Sequence, residues 1–215
     1  MKTIYLISGL GADERIFSRL KISGHKIVHL PWLTPLKNET IRDYAKRMSE
    51  HIKEPNPVIA GLSFGGMMSI EISKLVNPSK IILISSIPSF HQLPRWMRLA
   101  GLFKLNRILP MRSFRILQPI EDRNMGVETP EDKILVRHYR KTVDQVYLNW
   151  AINQVLNWKN DWQPPVVYHI HGTRDRIFPS AKLSPTHKIQ GGGHFMVYNR
   201  AEEVSRLILE ILNKD

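Results

Sequence analysis

Six short apolar runs recur along the chain, and each is followed by a loop rich in Gly, Pro, Ser or Asn. Residues 2–8 read as a continuous apolar strand of the kind buried on both faces. His25 to Leu30, Val58 to Leu62, Lys80 to Ser85, Val166 to Ile170 and the short Thr186 to Ile189 repeat that character. Between them the period changes from two to three and four. Asp13 is positioned to cap a helix through Ile16, Phe17 and Leu20. Asn38 or Thr40 starts another, with Ile41, Tyr44, Ala45, Met48 and Ile52 inward, and Pro55 and Pro57 end it. Met67 to Val76 forms a third helix, stopped by Asn77-Pro78, and Arg200 to Asn213 a last one with Val204, Leu207, Ile208 and Ile211 inward.

Residues 88–162 break this rhythm. They hold short helical patterns divided by Pro94, Pro110, Pro119 and Pro130, the longest running from Pro130 to Trp158, with no strand signal. Strands alternating with helices imply parallel βαβ units and a sheet covered on both faces. The expected fold is therefore α/β, with about six mostly parallel strands, in one domain spanning 1–215 and carrying a helical insertion at 88–162. In such sheets ligands bind beyond the carboxyl ends of the strands.

Composition narrows the picture. Hydrophobic residues at 42% and charged residues at 23% are those of a soluble globular chain, and there is no cysteine. Disulfides, a thiolate nucleophile and a Cys-type zinc site are thereby excluded, in keeping with a reducing, cytoplasmic setting. No apolar run approaches the length of a membrane span. The apolar start of the chain is short and runs at once into Asp13-Glu14, so a first strand is expected there rather than a signal peptide. The net charge of +12 raises nucleic-acid binding, but no basic recognition helix, finger spacing or aromatic RNA-binding signature accompanies it.

Candidate chemistry centres on Gly61-Leu62-Ser63-Phe64-Gly65-Gly66, set between a strand and a helix. A Gly-x-Ser-x-Gly there describes a nucleophile elbow, in which strand and helix pass so closely that side chains are excluded two residues either side of the serine. A serine nucleophile needs an imidazole to take its proton and an acid to orient that imidazole. His194, in Gly191-Gly192-Gly193-His194-Phe195, is the one histidine of nine in a glycine-rich loop after the last strand; it reads as the base or as a surface-loop histidine. Asp175, in His171-Gly172-Thr173-Arg174-Asp175-Arg176, sits just past the fifth strand; it either orients His194 or pairs with its arginine neighbours. The oxyanion donors would be the backbone N–H groups of Phe64 and of Leu10, in the glycine-flanked loop after the first strand. Trp32 and Phe195 are candidate pocket walls or core residues.

The order Ser63, Asp175, His194, each on a loop at one sheet edge, resembles the α/β-hydrolase superfamily over essentially the whole chain. The resemblance implies a Ser-Asp-His hydrolase that forms an acyl-enzyme without metal or cofactor, and a cap at 88–162 that shapes the pocket. The chain has Ser8-Gly9 where many members have His-Gly, and Asp175 and His194 are only 19 residues apart, which implies a trimmed helix between them. The expected substrate is a small carboxylic ester or thioester. Amide, acyl-transfer and carbon–carbon bond chemistry use the same triad, and a non-catalytic binding protein can share the fold. Residues 88–120 carry six Arg or Lys and no acid, among apolar residues such as Trp96, Leu99, Leu102 and Phe103. That pattern reads as a buried apolar face with a solvated basic one, as a lid over an acyl pocket, or as peripheral contact with an anionic membrane. It would also draw an anionic, carboxylate- or phosphate-bearing ester. Oligomeric state leaves no signature in the sequence.

Overall fold

The computed structural model describes residues 2–104 and 116–214. Six strands, β1 (Thr3–Ile7), β2 (Lys26–Leu30), β3 (Val58–Leu62), β4 (Lys80–Ile84), β5 (Val167–Gly172) and β6 (His187–Ile189), form one sheet in the order β2-β1-β3-β4-β5-β6. Every pairing is parallel. The apolar runs explain the two-sided cover. Ile4, Leu6, Ile82 and Ile84 face one layer, closed by Val204, Leu207, Ile208 and Ile211 of the C-terminal helix (Ala201–Leu212). Their neighbours Tyr5, Ile7, Ile81 and Leu83 point the other way, as alternate residues of a strand must, onto α1 (Ile41–Ser49) and α2 (Phe64–Ser73).

Strand order reverses at β1, because the chain leaves β2 on one side and returns to β3 on the other. A crevice opens where neighbouring crossovers diverge in this way. The loops after β1 and β3 both lie at that point.

Two expected elements differ in the structure, and one open choice is decided. The segment after Asp13 is only a 3₁₀ turn, Glu14–Phe17. Asp13 does cap it, accepting from the Arg15 N–H, but its carboxylate also grips the Arg15 side chain, and beyond Phe17 the apolar period gives way to Ser18-Arg19. Between Pro130 and Trp158 the single long pattern is two helices, α5 (Pro130–Thr142) and α6 (Gln145–Leu156). Val143 and Asp144 are extended, and the Asp144 carboxylate accepts the Tyr147 N–H at 2.7 Å, so a cap restarts the helix. Thr40, not Asn38, caps α1.

The insertion between β4 and β5 also contributes α3 (Arg95–Leu102) and α4 (Gln118–Met125). Its two ends are stitched together by Phe90 N–H to Asn160 O at 2.9 Å. The Trp158 indole N–H donates to the buried Glu71 of α2 at 2.8 Å, which fastens the insertion to the helix after Ser63. On α3 only Met97 and Gly101 are buried, while Trp96, Leu99, Leu102 and Phe103 face solvent beside Arg95 and Arg98. The apolar positions of this stretch are thus not its buried face. Arg107, Arg112 and Arg115 of the same basic run lie outside the described residues. Among those residues no helix is long and apolar enough to cross a membrane.

Candidate active site

Ser63 ends β3 and begins α2 with φ 53° and ψ −118°, in the right half of the backbone map that non-glycine residues rarely occupy. The surroundings leave it no relaxed alternative. Its N–H donates to Ile84 O at 2.9 Å, and the Ser86 hydroxyl donates to its carbonyl at 2.6 Å. A Cβ on Gly61 would stand 2.2 Å from Gly65 O, and one on Gly65 would stand 2.3 Å from Ile7 O. The glycines are therefore a requirement of strand–helix contact, and the contact forces the serine out of line so that its side chain stands clear.

The two loops carrying Asp175 and His194 are zipped to one another. Thr173 N–H donates to Ile189 O, Arg174 N–H to Gly192 O at 2.9 Å, and Gly191 N–H to the Thr173 hydroxyl at 2.9 Å. Gly172 is where they touch, since a Cβ there would meet Gly192 O at 2.2 Å. The chain between the two residues holds only a 3₁₀ turn, Ser180–Lys182, and the short β6. The trimmed connection expected from their spacing is what the structure contains.

These supports bring the three side chains together. His194 Nε2 lies 2.9 Å from Ser63 Oγ, and His194 Nδ1 lies 2.8 Å from Asp175 Oδ2. Asp175 is buried, and its other oxygen accepts the Ile177 and Phe178 N–H groups at 2.8 and 2.9 Å. Burial opposes its ionisation, yet the His194 ring and these donors outweigh burial and hold its carboxyl below the ordinary carboxylate value. An ionised Asp175 fixes the proton on Nδ1 and leaves Nε2 free to accept from the serine. The Phe178 ring meets the His194 imidazole edge-on at 5.6 Å and limits its swing.

Leu10 and Phe64 carry the two backbone N–H groups expected to face an oxyanion. Among the described residues neither backbone N–H makes a hydrogen bond. The loop bearing Leu10 is beside Ser63, since a Cβ on Gly9 would lie 3.6 Å from Ser63 Cβ. The Ser8 hydroxyl closes that loop onto Ala12 O at 2.7 Å, a local brace for the Leu10 backbone. Trp32 stacks on Phe64 at 5.2 Å, and its indole N–H donates to Gly9 O at 3.2 Å. It joins both halves of the candidate oxyanion site. It also walls a cleft of about 550 Å³ with Phe17, Tyr139, Val143 and Tyr147. Phe195 differs from its expected place as a pocket wall. It packs in the core against Tyr198, and its N–H is spent on Met125 O at 2.8 Å.

Sequence reasoning missed the buried pair His169 and His171 behind Asp175. His169 Nε2 is 3.1 Å from His171 Nδ1, and His171 Nε2 donates to Phe178 O at 2.8 Å. Two polar residues at alternate positions of an otherwise buried strand were the available signal. It also missed the tie between the insertion and the loop bearing His194. Gly126, left-handed at φ 74°, packs so tightly on Gly193 that a Cβ would lie 2.9 Å from its Cα.

A family model described as "Alpha/beta hydrolase family" matches residues 4–207. Among solved structures, the chain is similar to a thermophilic esterase from Thermogutta terrifontis, with 16% identity, 99% of this chain and 89% of that one covered, and a TM-score of 0.73. It is similar to MenH from S. aureus at 16% identity, 98% and 93% coverage and a TM-score of 0.77. It is also similar to an epoxide hydrolase from Bacillus megaterium at 14% identity, 100% and 94% coverage and a TM-score of 0.70. These likenesses are of fold. No curated protein matches the sequence.

Proposed function

The chain belongs to the alpha/beta hydrolase family, and on that premise we propose that it is a serine hydrolase of carboxylic esters or thioesters, with Ser63 as nucleophile, His194 as base and Asp175 as the acid that orients it. The observation that carries this reading is the unbroken line Ser63 Oγ, His194 Nε2, His194 Nδ1, Asp175 Oδ2, with contacts of 2.9 and 2.8 Å.

In the first half-reaction, Ser63 Oγ attacks the carbonyl carbon as its proton passes to His194 Nε2. The carbonyl oxygen, now negative, accepts the Leu10 and Phe64 N–H groups, which need break no other bond to serve it. The intermediate collapses, the bond to the alcohol or thiol breaks, and His194 returns its proton to the leaving group. Water then repeats the sequence on the acyl-enzyme and releases the acid with Ser63 restored. Asp175 stays ionised throughout and stabilises the imidazolium. The cleft walled by Trp32, Phe17, Val143 and Tyr147 begins at the Ser8–Gly11 loop and takes the acyl part.

A fluorophosphonate probe tests this directly. Ser63 is labelled in the wild type and no label attaches in Ser63→Ala. Turnover of a panel of short esters and thioesters falls by roughly three orders of magnitude or more in Ser63→Ala and in Asp175→Asn, the latter because an amide inverts the imidazole tautomer. Folded wild-type protein that neither labels nor cleaves any member of the panel would refute the proposal.

A further inference from the structure

A second cleft, of about 540 Å³, borders the same two loops. Its walls come from α4, the turn to α5, α5 itself and the loops after β5 and β6. Gly193, the residue before His194, is in the wall, and Arg174 and Arg176, which bracket Asp175, are at its edge. Arg123 of α4 and Lys133 and Arg137 of α5 face the same space.

Five cations therefore converge on one concavity, and among the described residues none of them pairs with a carboxylate. The two acids of the lining offer them little. Asp122 is held by Arg140 at 2.7 Å, and Glu128 by Arg200 at 3.3 Å. Exposed like charges repel, and the three cap residues and the two loop residues reach this cleft from separate segments, all five exposed. A concave surface of one sign concentrates counter-ions and raises encounter rates. Guanidinium groups add paired donors that match the oxygens of a phosphate.

We propose that this cleft binds a phosphate group carried by the substrate, so that the protein selects phosphate-bearing esters or thioesters. The inference rests on the serine-hydrolase reading for its second half only. The anion site itself is independent of turnover. With five uncompensated cations, the cleft suits a group bearing more than one negative charge better than a single carboxylate.

Inorganic pyrophosphate is the probe, titrated by calorimetry into Ser63→Ala protein at low ionic strength. Binding is expected, and it weakens as salt is added, because the cations are solvent-exposed. In the background of Ser63→Ala, the triple change Arg123→Ala, Lys133→Ala, Arg137→Ala lowers the affinity by about tenfold, each exposed contact being worth a factor of about two. Lys46→Ala, on α1 and outside the cleft, leaves it unchanged. In Ser63-containing enzyme the triple change lowers the ratio of kcat/KM for 4-acetoxyphenyl phosphate over phenyl acetate by a similar factor. Absence of pyrophosphate binding, or binding indifferent to the triple change, overturns the site. Binding that responds while the ratio does not move overturns its role in substrate selection. Pyrophosphate bound by a protein that a fluorophosphonate cannot label leaves the anion site standing and removes the hydrolase reading.

Discussion

His169 and His171 give the fold a pH dependence that can be calculated before it is measured. They project from alternate positions of β5 and are 4% and 0% exposed. His171 Nε2–H is committed to Phe178 O, so His171 Nδ1 must accept, and His169 Nε2–H is its donor. One proton on each ring satisfies this chain, and both rings are neutral. Burial, reinforced by the neighbouring His171 ring, pushes His169 down to about 3, and burial also lowers His171. In the unfolded chain each imidazole takes up a proton near pH 6.5. Below that pH the unfolded state binds more protons than the folded one, so stability must fall with falling pH, and it is fully present only above pH 6.5. For His169 the loss approaches about 1.4 kcal/mol per pH unit once the pH is well below 6.5, or roughly 2 kcal/mol between pH 6.5 and 4.5. His171 adds to it in the same direction, whereas Asp175, whose folded value is depressed, contributes only below its unfolded value of 3.8. Urea unfolding at half-unit steps from pH 7 to 4.5 gives the slope. His169→Gln keeps an N–H for His171 and cannot titrate, so its slope should be shallower by about 1.4 kcal/mol per unit whatever its absolute stability. A wild type that is flat across this range, or a variant with the wild-type slope, would refute the assignment of the buried pair as neutral.

Two further outcomes follow from the elbow and the loop beside it. Gly65→Ala sets a methyl 2.3 Å from Ile7 O and 2.4 Å from Ser8 O, both backbone atoms that cannot rotate away. It should cost about 2 kcal/mol or more by thermal or urea unfolding and remove most ester turnover, and a variant as stable and active as wild type would contradict the close passage of α2 over β1. Trp32→Phe keeps the stack on Phe64 and loses the bond to Gly9 O, so kcat should fall by about tenfold with KM nearly unchanged. A raised KM with intact kcat would make Trp32 a pocket wall alone.

Much of this architecture is visible in the unfolded string, and the reason is period. β1, β3 and β4 are covered on both faces, so apart from Thr3 and Lys80 at their starts and Gly61 they are apolar throughout, and the runs are unmistakable. Once those strands are parallel, the loops holding Ser63, Asp175 and His194 must share one edge. What the string hides is decided by contacts rather than by period. The turn after Asp13 stops short because a carboxylate grips Arg15 two residues on, and α5 and α6 separate because Asp144 caps a new start. Phe195 sits beside the base in sequence yet points to the core, because its N–H is claimed by Met125. Charge misleads in a similar way. The conspicuous basic stretch lies within 88–120, but the cations that meet around a cleft come from three places in the chain and stand out in none of them.

The seat of Gly126 against Gly193 has a mechanical meaning. Met125 O also receives the Phe195 N–H, and the Asn199 side chain grips both Gly126 O and Asp132 at 2.9 Å. The α4–α5 corner and the loop bearing His194 are thereby one rigid block, a lintel and not a door. Substrate cannot enter by swinging that corner outward without dragging the imidazole off Ser63. Among the described residues of the insertion, α3 and α6 are the helices outside this block. A change of length at Gly126 would therefore be felt at His194, whose place against Ser63 and Asp175 depends on this corner.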